Sequence, residues 1–247
     1  MEPVNILCMK WGTKYGPDYV NTLYNMVARN ITLPFRFVCL TDDTTGLKDE
    51  VEALPFPKTG YEAFDNREDW TMRSGAWLKL ATFAKPLHDL KGKALFIDLD
   101  VVIVGNIDDF FTHPGEFLVI KEWDKKDVTG NTSVYRFDIG AHQDAIDHFR
   151  DNPDKARQGV RNEQEYITQY LHRQGKLGYW PEAWCRSFKR HCVHKGLKAW
   201  RVPPEIPHDA RIIVFHGLPN PEDAVVGRSG KWYRKVLPTP WIAEHWR

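Results

Sequence analysis

The chain has 247 residues, of which 34 are Lys or Arg and 33 are Asp or Glu, so its formal net charge is +1. A charge balance this even excludes binding to nucleic acid through a globally basic surface. Apolar residues make up 42% of the chain, which is ordinary for a folded protein and enough to bury a sizeable core. We predict a single domain over residues 1–247.

The four cysteines form no Cys-x-x-Cys pair. This spacing favours reduced, buried thiols over a disulfide framework or a zinc site. The first residues show no basic segment followed by a long apolar core, so no signal peptide is predicted. No apolar run approaches the roughly 18–20 residues that span a bilayer. The predicted location is therefore the cytoplasm, and no obligatory protein partner is evident.

The first part of the chain predicts a β-α-β-β unit. Apolar runs predict strands over Val4–Lys10, Phe35–Leu40 and Val51–Pro55. Apolar side chains at helical spacing predict a helix over Pro17–Asn30. This order favours a mostly parallel sheet whose ligand-binding loops follow the carboxyl ends of its strands.

The rest of the chain continues to alternate helices and strands. A helix is predicted over Thr71–Ala84, and the apolar stretch Ala94–Val104 predicts one buried strand. The later predicted elements are a helical turn over Ile107–Phe111, strands over Phe117–Ile120, Thr132–Phe137 and Arg211–Phe215, helices over Ala141–Arg150 and Glu163–Arg173, a solvated connection over Asn152–Gly159, and a stretch without clear period over Trp180–Lys195. This alternation predicts an α/β fold.

Two carboxylates, Asp98 and Asp100, interrupt the apolar stretch Ala94–Val104. Burying them is costly unless something compensates their charge. Residues two apart point the same way in an extended chain, so both carboxylates would aim at one spot. Carboxylate oxygens there suit Mg²⁺ or Mn²⁺. The alternative is a strand that ends in a turn, with both carboxylates in solvent.

His216 follows the predicted strand Arg211–Phe215 directly and precedes Gly217. A neutral imidazole at a strand end can join two carboxylates as a metal ligand. The alternative is a structural histidine that only forms hydrogen bonds. The sequence leaves both interpretations open.

Together these motifs resemble those of nucleotide-sugar glycosyltransferases with the GT-A fold, in particular the retaining, glycogenin-like group of family 8. The resemblance spans residues 4–221 and is strongest at Trp77–Leu80, Lys93–Phe111 and Phe215–Gly217. Asn131–Val134 resembles a strand motif of the family, and Glu163-Gln164 stands where the family has Asp-Gln at a helix start. The resemblance implies a GT-A-like, Rossmann-type α/β/α sandwich with a mixed, mostly parallel central sheet.

The implied activity is transfer of a hexose from a nucleotide-diphosphate sugar, UDP-linked by preference, to a saccharide, lipid-linked or protein acceptor. Asp98, Asp100 and His216 would hold the cofactor, Mn²⁺ or Mg²⁺, which stabilises the leaving diphosphate as a Lewis acid. Asp98, Asp100, Glu163 and Gln164 are the implied catalytic residues. If the reaction inverts the anomeric configuration, a carboxylate must act as general base, and the candidates are Asp42, Asp138 and Glu163.

The resemblance also assigns residues to the donor. They are Lys10, Thr13, Tyr15, Thr41 and Asp42 near the base and ribose, Arg73 and Lys79 near the phosphates or the sugar, and Leu99, Asn131, Ser133 and Gly217 elsewhere around the donor. Lys79 has an alternative interpretation as the solvated edge of an amphipathic helix. Asn220 stands near the position of a family Lys that neutralises the diphosphate, and Asn carries no charge; the cations that could take its place are Lys189, Arg228 and Lys231.

Other functions remain open. Asp98–Val102 also fits the motif of haloacid-dehalogenase-type phosphatases, in which Asp98 would be the nucleophile. A second alternative is a non-catalytic nucleotide-sugar-binding module. The stretch Arg186–Lys198 mixes basic and aromatic residues. This mixture is consistent with peripheral docking at the inner membrane surface, but an ordinary basic surface or an acceptor cleft is the favoured interpretation.

Overall fold

The computed structural model describes residues 2–60, 74–230 and 235–247. The strands are β1 (Val4–Lys10), β2 (Phe35–Thr41), β3 (Glu52–Leu54), β4 (Lys93–Ile97), β5 (Val101–Ile103), β6 (Phe117–Lys121), β7 (Gly130–Asp138), β8 (Leu177–Tyr179), β9 (Cys185–Ser187) and β10 (Ile212–Val214). The α-helices are α1 (Pro17–Asn30), α2 (Asp109–Thr112), α3 (Gln143–Asp151), α4 (Pro153–Arg157), α5 (Glu163–Arg173), α6 (Pro221–Val225) and α7 (Trp241–His245). Ser74–Phe83 and Gly196–Trp200 are 3₁₀ helices, and Phe188–Cys192 is a π-helical turn.

The central sheet has seven strands in the order β3-β2-β1-β4-β7-β6-β8. Parallel pairing joins β3, β2, β1 and β4, and it also joins β6 to β8. β7 is antiparallel to both of its neighbours, so it is the reversed strand among these seven. The mixed, mostly parallel sheet expected from the sequence is confirmed.

Helices cover the sheet on both faces because successive strand residues point to opposite sides. Ile6 and Cys8 of β1 pack into the same cluster as the apolar side of α1 and the strands β5 and β10. Leu7 and Met9 pack into a second cluster, with the 3₁₀ helix Ser74–Phe83, α3 and α5. The result is an α/β/α sandwich.

The prediction of one strand over Ala94–Val104 is wrong. β4 lies in the centre of the large sheet, whereas β5 belongs to a separate three-stranded sheet in the order β5-β10-β9. The backbone N–H of Asp98 donates to Ser133 O of β7 at 2.8 Å, which continues the pairing of the large sheet. Asp100 O accepts from the N–H of Phe215, the residue after β10, at 3.0 Å, which belongs to the small sheet. The chain therefore changes sheets between the two carboxylates, and the argument from one extended strand does not apply to them.

Several other expectations need correction. The helix predicted over Thr71–Ala84 is a 3₁₀ helix in its described part, and residues 71–73 lie outside the described residues. The connection Asn152–Gly159 contains α4, which begins with a proline at a position that favours helix initiation. Trp180–Lys195 contains β9 and a π-helical turn, which are too short to produce a hydrophobic period.

Two predicted helices have the expected bounds: α1 and α5 begin and end where the sequence places them. All four cysteines are buried and free, as expected. In the described ranges no helix combines the length and the apolar character needed to cross a membrane.

Candidate functional site

Four of the segments that carry predicted site residues meet at one edge of the central sheet. Lys10 at the end of β1 pairs with Thr41 at the end of β2. β4 runs parallel to β1 and ends at Ile97, which pairs with Val134 in the middle of β7. The carboxyl ends of β1, β2 and β4 therefore lie at the same edge of the sheet as the first half of β7. This is the edge at which parallel α/β sheets bind ligands.

Asp98 forms an ion pair with Lys79. The Lys79 Nζ lies 2.7 Å from Asp98 Oδ1 and 2.9 Å from Oδ2, and it also donates to Thr132 O at 3.2 Å. Lys79 is only 9% exposed. The interpretation of Lys79 as the solvated edge of a helix is therefore wrong, because its ammonium group is bound inside the protein.

Glu163 joins this charged group from the first turn of α5. Thr132 Oγ1 donates to Glu163 Oε1 at 3.1 Å. Burial raises the pKa of Glu163, against the opposing effects of Lys79 and Thr132. Burial alone would lower the pKa of Lys79, but attraction to Asp98 and Glu163 outweighs it, so the pKa of Lys79 is raised. One buried cation thus compensates two carboxylates.

Asp100 bonds to a different partner, the phenol of Tyr15. The Tyr15 hydroxyl donates to Asp100 Oδ2 at 2.9 Å, and the Tyr15 ring packs on Tyr19 with 4.6 Å between centroids. The Tyr19 hydroxyl in turn donates to Glu222 at 2.6 Å. Burial and the charge of Asp98 raise the pKa of Asp100 to about 6. The carboxylates of Asp98 and Asp100 are therefore close enough to repel each other.

His216 lies beside Asp100 because Phe215 N donates to Asp100 O at 3.0 Å. Its Nε2 lies 2.7 Å from Ser187 Oγ. The imidazole stacks on Trp123, with 5.5 Å between centroids and 22° between planes.

The donor set of Asp98, Asp100 and His216 fits a hard divalent cation, because a cation relieves the repulsion between two neighbouring carboxylates. In the part of the chain that the structure describes, no three His, Cys, Asp or Glu side chains form a group that could hold a metal ion. The three side chains instead each bond to a protein partner. The three-ligand site stays a prediction.

The loops after β1 and β2 are tied to each other. Lys10 Nζ donates to Asp43 O at 3.2 Å, and Thr41 Oγ1 donates to the same carbonyl oxygen at 3.0 Å. Gly12 N donates to Asp42 Oδ2 at 3.4 Å. Lys10 is buried, and its charge is engaged with the Asp43 carboxylate at 3.3 Å. These bonds form a corner at the same edge of the sheet as Asp98.

Three more predicted donor residues, Leu99, Asn131 and Ser133, adjoin this edge. Asn131 Oδ1 accepts from Ser133 N at 3.0 Å, and its Nδ2 donates to Glu122 Oε2 at 3.3 Å. Leu99, which stands between Asp98 and Asp100 in the sequence, is buried. Among the remaining predicted residues, Thr13 is exposed, Gln164 is half-buried in the first turn of α5, and Gly217 has a left-handed φ of 64°. Arg73 lies outside the described residues.

One candidate base lies far from the site. Asp138 ends β7 and pairs with Lys93 at the start of β4, which is the opposite edge of the sheet from Asp98. The sequence did not reveal the position of Asp138, because it predicted no direction for β7 relative to β4.

The residues around His216 include Asn220 and the cations that could take the place of the Lys expected near it. Asn220 precedes α6, and its backbone N–H donates to the Asp223 carboxylate at 3.4 Å. Arg228 forms an ion pair with Asp223 at 3.2 Å. Lys189 instead donates from Nζ to His216 O. Lys231 lies outside the described residues. Of the two described candidate cations, Lys189 is the one with a hydrogen bond to His216.

Four residues of the site were missed by the sequence analysis. They are Tyr19, Trp123, Thr132 and Ser187. Ser187 lies at the start of the π-helical turn Phe188–Cys192. Such turns often occur at functional sites, but nothing in the residue pattern distinguishes one from an ordinary loop.

The sequence matches no protein-family model and no curated protein. Solved structures do match. The galactosyltransferase LgtC, solved in complex with donor and acceptor sugar analogs, is 12% identical, with a TM-score of 0.60 over 88% of this chain and 88% of that chain. The apo form of the glycosyltransferase GlyE from Streptococcus pneumoniae TIGR4 is 11% identical, with a TM-score of 0.62 over 98% of this chain and 60% of that chain.

The chain has the fold of these glycosyltransferases. The GT-A-like α/β fold implied by the sequence motifs is confirmed. The chain spans 60% of the GlyE structure, whereas it spans 88% of LgtC. At 11–12% identity the similarity establishes the fold.

Proposed function

We propose that this protein is a metal-dependent glycosyltransferase that transfers a hexose from a nucleotide-diphosphate sugar, UDP-linked by preference, to a saccharide, lipid-linked or protein acceptor. The observation that carries this proposal is the position of Asp98 and Asp100. Both lie directly after the central strand of a glycosyltransferase fold, at the edge where the loops after β1 and β2 meet. Two adjacent carboxylates at this edge suit a cation bound to a diphosphate.

Asp98 and Asp100 would hold Mn²⁺ or Mg²⁺, with His216 as the third ligand. When bound, the cation supplies Lewis-acid stabilisation of the leaving diphosphate. Ser187 and Trp123 orient the imidazole of His216 through a hydrogen bond and a ring contact.

Lys189 supplies the positive charge that Asn220 cannot. The Lys189 Nζ donates to His216 O and lies 3.8 Å from the position that a Cβ atom on Gly217 would occupy. A cation at this position lies next to the proposed metal ligand His216, so its charge would act on a diphosphate bound to that metal. Lys79 is less suited to this role because it is bound to Asp98.

A retaining reaction needs no separate base, because the leaving phosphate can accept the proton of the acceptor on the same face of the sugar. Two observations argue against two of the three candidate bases that inversion would need. Asp138 lies at the opposite edge of the sheet, and Glu163 is engaged by Thr132 beside the Lys79 ammonium. Glu163 and Gln164 would line the donor sugar and the acceptor edge.

The alternatives are less well supported. A haloacid-dehalogenase-type phosphatase would use Asp98 as a nucleophile, but the fold is that of glycosyltransferases. A non-catalytic nucleotide-sugar-binding module would not need the arrangement seen next to Asp100. There, Asp98 pairs with Lys79, and Glu163 accepts a hydrogen bond from Thr132. A phosphatase would release inorganic phosphate from simple phosphoesters, and a binding module would turn over nothing.

The test of the proposed function is donor hydrolysis without acceptor. The protein is incubated with UDP-hexoses, with and without Mn²⁺, and the release of UDP is measured. Metal-dependent release of UDP from at least one donor is the expected result. Release of phosphate from simple phosphoesters without hydrolysis of any donor would contradict the proposal in favour of the phosphatase.

Replacing His216 with Ala is expected to weaken Mn²⁺-dependent binding of UDP about 10–100-fold while the protein stays folded. His216 is a partly exposed side chain, so its removal leaves no large cavity. The measurement is a calorimetric titration with UDP at several Mn²⁺ concentrations. His113→Ala, a histidine in the segment after α2, serves as the matched control. An unchanged Mn²⁺ dependence in His216→Ala would remove His216 from the site.

The proposed location is the cytoplasm, with peripheral contact at the inner membrane surface.

A further inference from the structure

The 3₁₀ helix Gly196–Trp200 presents two large apolar side chains to solvent. Leu197 is 81% exposed and Trp200 is 66% exposed, which makes them the two most exposed large apolar side chains in the described ranges. Because a 3₁₀ helix has three residues per turn, residues three apart lie one above the other. Leu197 and Trp200 therefore form a continuous apolar ridge.

Cations repeat at the same spacing beside this ridge. Lys195, Lys198 and Arg201 are all exposed, and none of them makes an ion pair with another described residue. Residues 183–204 contain no Asp or Glu. Lys235 adds a fourth cation, with its Nζ 5.6 Å from the centroid of the Trp200 ring. The ridge is thus bordered by positive charge.

The cations nearer the start of Arg186–Lys198 are engaged within the protein. Arg186 pairs with Glu182 at 2.6 Å, and Arg190 pairs with Asp124 at 2.5 Å. Lys189 donates to the carbonyl of His216. Among the described residues of this stretch, the exposed cations without a carboxylate partner therefore begin at Lys195.

We propose that Leu197 and Trp200, together with Lys195, Lys198 and Arg201, dock this protein on an anionic lipid bilayer. Trp and Leu side chains partition into the interface between headgroups and acyl chains. Lys and Arg beside them are attracted to the negative surface of the bilayer. This inference does not depend on the proposed transferase activity.

A protein partner fits this surface less well. Stable protein–protein interfaces bury about 800 Å² on each partner and are depleted in Lys. The ridge consists of two apolar side chains on a five-residue helix, and Lys residues surround it. Its size and charge suit a lipid surface.

Co-sedimentation with vesicles tests the proposal. The probes are phosphatidylcholine vesicles with and without phosphatidylserine, at low and high salt. The protein is expected to pellet with the anionic vesicles, to pellet poorly with the neutral ones, and to be released by salt. Leu197→Ser with Trp200→Ser is expected to lower the partition coefficient roughly tenfold. Lys195→Glu with Lys198→Glu is expected to lower it at least as much.

Matched controls separate the ridge from general effects. Val226→Ser makes the same kind of change at a side chain that is 58% exposed elsewhere, and Lys155→Glu with Arg173→Glu makes the same charge change on exposed helix positions. Both are expected to pellet like the unaltered protein. Equal pelleting of the ridge variants and the controls would overturn the proposal. Self-association without lipid that the ridge variants abolish would also overturn it, in favour of a second copy of the chain.

The outcome is distinguishable from that of the proposed function. Donor hydrolysis measured in solution without vesicles is expected to be unchanged in the ridge variants. If the ridge variants lose vesicle binding and keep normal donor hydrolysis, the result supports docking and leaves the proposed transferase function unaffected.

Discussion

Replacing Asp100 with Ala is expected to lower metal-dependent donor hydrolysis about 10²–10³-fold or more, because it removes a proposed ligand of the cation that stabilises the diphosphate. The fold is expected to survive. The side chain of Asp100 bonds to the neutral phenol of Tyr15, so its removal leaves no buried charge unpaired. Burial and repulsion from Asp98 together raise the pKa of Asp100, and the substitution removes that repulsion. The measurement is the rate of UDP release at saturating Mn²⁺, with circular dichroism to verify folding.

Asp138→Ala is the matched control for this experiment. Asp138 lies at the other edge of the same sheet, in an exposed position at the end of β7. Its removal is expected to leave the rate of UDP release unchanged. A rate for Asp100→Ala close to that of the Asp138 variant, with Mn²⁺ present, would mean that the proposed metal site is wrong.

Replacing Lys79 with Met is expected to lower the free energy of unfolding by about 3 kcal/mol, since removing one partner of a buried ion pair leaves an uncompensated charge. Lys79 is 9% exposed, and it neutralises Asp98 directly and Glu163 at longer range. Met keeps most of the length of the side chain, so the loss of packing is small. Urea unfolding followed by circular dichroism gives the free energy.

A double variant separates charge from packing. Lys79→Met combined with Asp98→Asn removes both charges of the ion pair, so it is expected to recover part of the lost stability. Lys85→Met changes an exposed Lys, and its effect on the free energy of unfolding is expected to be below about 0.5 kcal/mol. Failure of the double variant to recover any stability would show that the ion pair does not account for the loss.

The sheet and its main helices were predictable because their signals are local. Val4–Lys10 and Phe35–Thr41 are continuous apolar strands of a parallel pair, and α1 and α5 carry clear helical periodicity. Residues that end these strands were therefore correctly expected at one edge. The resemblance to the GT-A glycosyltransferases relied mainly on other segments, above all Trp77–Leu80 and Lys93–Phe111.

The change of sheets after Ile97 was not predictable from the pattern. Apolar residues on both sides of Asp98–Asp100 are consistent with one long strand, and only the pairing of β4 with β7 and of β5 with β10 divides them. For the same reason, the sequence did not predict that Asp98 bonds to Lys79 and Asp100 to Tyr15. Lys79 and Asp98 are brought together by tertiary packing, which residue spacing does not encode.

Short elements account for most of what else was missed. β8, β9 and the π-helical turn Phe188–Cys192 have three to five residues each, too few for a hydrophobic period. Ser187 and Lys189 belong to this region, and both contact His216. Their proximity depends on the pairing of β9 with β10, a long-range contact.

The measurement that tests the central claim most directly is a calorimetric titration of the protein with UDP, GDP and ADP, each with and without Mn²⁺. The account predicts binding of one diphosphate, UDP by preference, that is strong with Mn²⁺ and weak without it. Such a result would also identify the donor base. Absence of binding to all three diphosphates with Mn²⁺ present would contradict the assignment of Asp98, Asp100 and His216 to a nucleotide-sugar site.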